Sequence, residues 1–226
     1  MTFATVRSVS IAAAVALSAF SAQALTIPTN SLQADSFQVF SKTALQSYAL
    51  FGVKISPLGN ATAVAGTTDT FSLPVTSISI ALSGGIKIEN GKATGSALEI
   101  ARIDPETGKK RGLTIANFTI DFAKSQVLAD TTVIGSGKTA PQAPVYNFVK
   151  TQELALKYKF PLSISAKEQL GDLRLVDVFG TADALGIDPD LADAVIPGID
   201  FGVINIDIGV AFRSKPVSTK PYVPAL

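Results

Sequence analysis

Gln152-Glu-Leu-Ala-Leu-Lys-Tyr-Lys-Phe-Pro-Leu-Ser-Ile164 is the stretch that decides the fold. Leu154, Leu156, Tyr158, Phe160, Leu162 and Ile164 alternate without a miss, which is the period of a half-buried β-strand. Lys157 and Lys159 occupy the opposite face, so one side of the sheet is expected to meet water. Residues 135–145, just upstream, carry Gly, Pro and small polar residues and read as an exposed loop. Downstream, Ile204, Ile206, Ile208, Val210 and Phe212 alternate again and predict a final strand.

The same period runs through the middle of the chain. Ile78, Ile80 and Leu82 alternate, Gly84-Gly85 interrupts, and Ile86 and Ile88 resume before Asn90-Gly91, a pair suited to a tight hairpin turn. Leu98, Ile100 and Ile103 then belong to a return strand, and Asp104-Pro105-Glu106-Thr107-Gly108 is a second turn. Beyond it Leu113 and Ile115 have one parity and Phe118, Ile120 and Phe122 the other, which predicts a bulge near Ala116 and Asn117.

Helical spacing is confined to two places. Phe37, Phe40, Ala44, Leu45 and Tyr48 recur at three- and four-residue steps and predict a short helix over 34–49. Gly52, Pro57 and a loop at 59–69 follow it. Residues 181–196 read as short helical pieces, with Thr181 and Asp188 as N-caps and Pro189 at the first helical position. The expected fold is all-β or β-dominated: an antiparallel sandwich or barrel-like sheet with two or three short helices.

Arg7, the apolar run Val9 to Phe20 and Ser21-Ala22-Gln23-Ala24 have the order of a secretory signal peptide, with cleavage after Ala24. The apolar run is too short for a membrane-spanning helix, and no later segment reaches that length. The expected organisation is a signal peptide at 1–24, one β-rich domain at 25–214, and a loosely attached, Pro-containing tail at 215–226. The mature protein is expected to be secreted or periplasmic.

Without Arg7, the 19 basic residues fall to 18, against 18 acidic ones, and no block of like charge stands out. Nucleic acid is therefore not an expected partner. The chain has neither His nor Cys, which excludes Ser-His-Asp and Cys-His catalysis, disulfides and zinc-thiolate sites. An exported protein without disulfides is held by its core, in keeping with a 47% hydrophobic composition, and fits a bacterial envelope.

Few residues remain that carry chemistry. Asp183, Asp188, Asp190, Asp193 and Asp200 form the densest acidic group, but their spacing is not that of a calcium loop, and capping plus surface solvation accounts for them. Glu106, Lys109, Lys110 and Arg111 mark a charged hairpin tip. Asn60-Ala61-Thr62 and Asn117-Phe118-Thr119 match the glycosylation sequon, which has no meaning behind a bacterial signal. Four tyrosines, Tyr48, Tyr146, Tyr158 and Tyr222, are the axial haem ligands the mature composition leaves. Tyr158 falls on the apolar face of its strand and is expected to pack there.

Two stretches resemble a known family. Tyr48-Ala-Leu-Phe-Gly-Val-Lys54, and Phe71-Ser-Leu-Pro-Val75 with Leu82-Ser-Gly-Gly-Ile-Lys-Ile88, look like parts of HtaA-type domains, β-rich exported modules of bacterial surfaces, some of which bind haem. Leu175 through Phe179-Gly-Thr-Ala-Asp-Ala-Leu185 to Gly202-Val203 is similar to that family's Ala-rich helix and last strand. The resemblance implies Tyr48 as a cofactor-binding residue for haem; the family's supporting His has no counterpart here.

The expected function is a non-enzymatic envelope or secreted protein that acts by binding or by structure, its partner another envelope protein or a small apolar ligand. The alternative is a haem or small apolar ligand carrier with a Tyr ligand, and after it a carboxylate-dependent enzyme. No cofactor other than haem is expected.

Overall fold

A computed structural model describes residues 25–81, 87–159 and 163–225, and within these the side chains of 153–159, 163 and 164 lie outside the description. The expected signal peptide at 1–24 also lies outside it. In chain order the elements are β1 (Leu25–Pro28), β2 (Leu32–Phe40), α1 (Lys42–Leu50), β3 (Lys54–Gly59), β4 (Thr62–Ala63), β5 (Thr70–Pro74), β6 (Ser77–Ala81) and β7 (Lys87–Ile103). They continue with β8 (Lys110–Asp121), β9 (Gln126–Val133), β10 (Thr139–Lys159), β11 (Ser163–Leu175), α2 (Val178–Leu185), α3 (Pro189–Val195), a 3-10 turn at Ile196–Gly198, and β12 (Gly202–Phe212).

All twelve strands join one antiparallel sheet in the order β1-β6-β7-β8-β9-β10-β11-β12-β2-β5-β4, with β3 paired to β7. The protein is β-dominated, and the sheet curls into a half-barrel. The meander from β6 to β12 follows chain order; the strands up to β11 return through short connections, the arrangement that alternating runs and turn signals favour, and β11 reaches β12 through α2, α3 and the 3-10 turn. Inside the curl, Leu98, Ile115, Leu170 and Leu173 are almost fully buried and share one core with Ala182, Leu185 and Ala192 of the helices.

Several elements differ from the expectation, each for a local reason. Residues 34–40 are strand: Ala34, Ser36, Gln38 and Phe40 are buried in alternation while β2 pairs with β12 on one side and β5 on the other. The three- and four-residue spacing bridged a strand end and a helix start. Ser41 separates them, since its hydroxyl accepts from Ala44 N at 3.0 Å as the N-cap of α1 and donates to Asp200 O at 2.5 Å.

Asn90-Gly91 is not a turn but lies inside β7, where Asn90 faces Ser79 on one side and Asp121 on the other. Pairing on both sides overrides a turn-forming dipeptide. The interruption at Gly84-Gly85 falls on 82–86, outside the described residues. The expected loop at 135–145 contracts because β10 already begins at Thr139; Val133 N donates to Lys138 O at 3.0 Å and closes the turn.

The run from Leu154 to Ile164 is not one strand. The chain reverses within it, so that Lys159 faces Ser163 and Tyr158 faces Ile164. The expected packing of the Tyr158 side chain lies outside the described residues. Thr181 does not cap a helix: α2 starts earlier, with the Asp177 carboxylate accepting from Gly180 N at 2.8 Å. Asp188 does cap α3, with Pro189 at its first turn, and the last strand and the bulge at Ala116–Asn117 stand where expected.

Candidate functional site

Leu113 and Ile115 on β8, Val133 on β9, Val145 and Tyr146 on β10, and Leu175 on β11 line a cavity of about 340 Å³ between the sheet and α2. Tyr48 of α1 joins them, as do Thr181, Asp183 and Ala184 of α2. Leu113 and Ile115 are two apart on one strand and so share a face, the same face that Ile100 presents from β7. The expected ligand residue Tyr48 therefore does lie in a cleft, and its partner there is a tyrosine that spacing had not distinguished.

The two phenols lie close enough for each to perturb the ionisation of the other. The Tyr48 ring stands edge-on to Phe40 at 6.1 Å and tilts against Phe201 at 6.0 Å, while Tyr146 meets Phe201 at 5.6 Å. Burial pushes the Tyr48 phenol well above its ordinary range, and the nearby Tyr146 adds to the shift. Burial likewise raises Tyr146, offset in part by the nearby Tyr48 phenol. Both phenols are therefore neutral at neutral pH.

A folded-state pKa above the unfolded value of about 10 contributes stability that is complete below pH 10 and is lost as pH rises beyond it. Alkaline titration followed by tyrosinate absorbance is expected to show late ionisation that coincides with unfolding. The Tyr48→Phe, Tyr146→Phe double variant is expected to lose that late phase.

Other candidate residues do not assemble into a site. The acidic group is dispersed: Asp188 caps α3, Asp200 Oδ1 accepts from Leu173 N and Gly202 N at 3.1 and 2.8 Å, and the Asp183 carbonyl accepts from Arg111 at 3.2 Å. Among the described residues no three His, Cys, Asp or Glu side chains are placed to hold a metal ion. The charged tip is folded back on itself, with Lys110 on Glu99 at 2.6 Å and Arg111 on Asp104 at 3.4 Å. The Asp104 carboxyl is held below its usual range by the backbone N–H groups of Glu106 and Thr107. No helix among the described residues is long and apolar enough to cross a membrane.

A second polar centre escaped the sequence reading. Asn117, at φ +54° and nearly buried, donates to Asp130 at 2.8 Å, while Gln142 at φ +44° donates to the same carboxylate through its backbone N (2.9 Å) and side chain (3.1 Å). Burial raises the Asp130 pKa, but the bonds from Asn117 and Gln142 outweigh it and hold the group below its usual range. Its stabilising contribution is present above the unfolded value of about 3.9 and is lost as pH falls through the folded one. Urea denaturation is expected to show a drop in stability below pH 4 that is shallower in Asp130→Asn. The only trace of this centre in the sequence was the parity shift at Ala116–Asn117.

Comparison of the chain with known family models, with curated proteins and with solved structures finds no match. The site is thus defined by its own geometry.

Proposed function

We propose that this chain is an exported, non-enzymatic binding protein that holds a small, mostly apolar ligand in the cleft between α2 and the sheet. The observation that carries this reading is the cleft of about 340 Å³ whose walls are largely aliphatic and whose polar lining includes, beside Lys138, Asp177 and Asp183, a close pair of neutral tyrosines. Such a pair offers a donor and an acceptor but no charge, which suits a ligand with an uncharged polar end. Export is supported by the Ser21-Ala22-Gln23-Ala24 cleavage pattern after an apolar run. A non-enzymatic role is supported by the use of Asp177, which lines the cleft with Asp183, as the cap of α2, which leaves Asp183 as the one lining carboxylate without a capping role.

A polarity-sensitive apolar fluorophore is expected to bind at one equivalent and to be displaced by ligands of this class. Tyr146→Phe is expected to weaken ligands with a hydrogen-bonding end about fivefold, the worth of one hydrogen bond near 1 kcal/mol, and to leave purely apolar ones unchanged. Equal weakening of both kinds would contradict a role for the phenol in recognition.

The second reading is haem carriage, favoured because Tyr48 lines the cleft. In it Tyr48 would hold the iron and the nearby Tyr146 would take the place of the His in the family that the sequence resembles. Burial keeps the proton on Tyr48, so the ferric charge would have to displace it. An absorbance scan of residues 25–226 with added haem tests this reading. A Soret band saturating at one equivalent and lost in Tyr48→Phe supports it, and a scan with no specific complex discards haem and leaves the metal-free ligand.

A further inference from the structure

Asn117 reads a peptide. Its side-chain Oδ1 accepts from Tyr222 N at 2.8 Å and its Nδ2 donates to Tyr222 O at 3.0 Å, the two bonds a neighbouring strand would make to one residue. The same Oδ1 accepts from Gly95 N at 3.0 Å. Four residues earlier in the tail, Asn60 Nδ2 donates to Ser218 O at 2.7 Å while also bonding Thr94 O at 3.0 Å. The expected looseness of residues 215–226 is thus not what these contacts describe: the segment lacks regular structure yet is held at fixed points.

The surface beneath is shaped to the segment. Gly59 and Gly95 both have positive φ, +63° and +82°. A Cβ on Gly59 would strike Gly95 O and come within 2.9 Å of the Tyr222 ring, and one on Gly95 would crowd Asn60 Nδ2 at 2.6 Å and Lys220 O at 2.8 Å. Register shifts at Ala93–Ala97 of β7 and Ala116–Asn117 of β8 open the ladder here, and Gly95 N and Thr94 O bond the Asn117 and Asn60 side chains that in turn hold the tail. Bulged strands and a residue such as Asn117 at positive φ store strain that recurs where a surface is built for binding.

We propose that this row of bulges is a peptide-docking groove for an extended Ser-Thr-Lys-Pro-Tyr segment, filled by the chain's own C-terminus and equally able to take the C-terminus of a second copy. The second copy is the partner because every contact above is to this chain's own sequence, and most are to backbone atoms that any copy presents identically. Pro216, Pro221 and Pro224 favour an extended segment, turned locally where Lys220 N donates to Ser218 Oγ at 3.1 Å and anchored upstream by Val217 N on Asn30 O at 3.0 Å. Within one chain the tether supplies the segment at roughly millimolar effective concentration, so the wild type in dilute solution is monomeric.

Complementation between full-length variants removes that competition. Tyr222→Pro loses the N–H and the ring that fill the Asn117 end of its groove; Asn117→Ala loses that end of the groove and frees the Tyr222 end of its tail, while the Asn60–Ser218 bond remains in both. Each alone is expected to sediment as a monomer, and an equimolar sub-millimolar mixture as a 1:1 dimer that excess synthetic peptide of residues 214–226 dissolves. If the mixed, folded variants remain monomeric, exchange between copies is wrong. Should Asn117→Ala not fold, a fluorescent 214–226 peptide titrated into Tyr222→Pro decides: saturation at one equivalent supports the groove, and unchanged anisotropy overturns it.

Discussion

Leu170→Ala is expected to remove about 4 kcal/mol of unfolding free energy, lowering Tm by roughly 10 °C in a domain of this size. Leu170 has no exposed surface, lies in the main core, and sits in β11 between Lys150 of β10 and Ile204 of β12. Strands on both sides hold the backbone in place, so little can collapse into the space the missing methyls leave. The cost is thus the lost transfer energy plus that of the cavity. Val149→Ala, one residue from the Lys150 pair, is the control: Val149 is 57% exposed, and its change is expected within about 0.5 kcal/mol. Urea denaturation of the three proteins measures both values.

Gly202→Val has the second large effect. Gly202 opens β12 at φ +111°, a conformation that side chains rarely adopt, and a Cβ there would strike Val39 O and crowd Ser41 N at 2.8 Å. Both obstacles are backbone, which cannot swing aside. Ser41 caps α1, so a shift would disturb the start of the helix carrying Tyr48 as well as the Gly202–Phe40 pairing. The expected loss is about 3 kcal/mol from strain, with the clash in addition. Gly66→Ala separates the two terms, because Gly66 has φ +80° but nothing within 4 Å of an added Cβ; its loss is expected near 1 kcal/mol.

The alternating runs made the sheet legible, and their failure is equally physical. Between Lys159 and Ser163 the chain reverses after an odd number of residues, so Tyr158 and Ile164 face each other with their parity unbroken. Period-two alternation cannot see such a reversal; Pro161, which lacks a backbone donor, was the one local sign of it. In β2 the buried positions include Ser36 and Gln38, which hid the strand from any hydrophobic pattern. The pattern instead joined Phe37 and Phe40 of β2 to Ala44, Leu45 and Tyr48 of α1, a spacing that belongs to no single element.

The cleft was legible only at one residue. Tyr48 was singled out by resemblance and does line the cavity, but Tyr146 comes to it from a strand almost a hundred residues away, a meeting that no local spacing encodes. The same holds for Asn117 and Tyr222, which the curl of the sheet and the course of the tail bring within 3 Å. Caps and turns, in contrast, depend on neighbours in the chain. Asp188 with Pro189, and the turn at Asp104, were accordingly readable.

The cleft is tested most directly by filling it. Ala143 is half-buried in its wall, on β10, and Ala143→Trp fills cavity volume while leaving both tyrosines and the core residues of the sheet unsubstituted. Titration of wild type and variant with the same apolar fluorophore, after circular dichroism has shown that both are folded, is the decisive measurement. Saturable binding at one equivalent to the wild type, weakened at least tenfold in Ala143→Trp, is the predicted result. Equal binding by the two folded proteins would place the ligand elsewhere and contradict the proposed site.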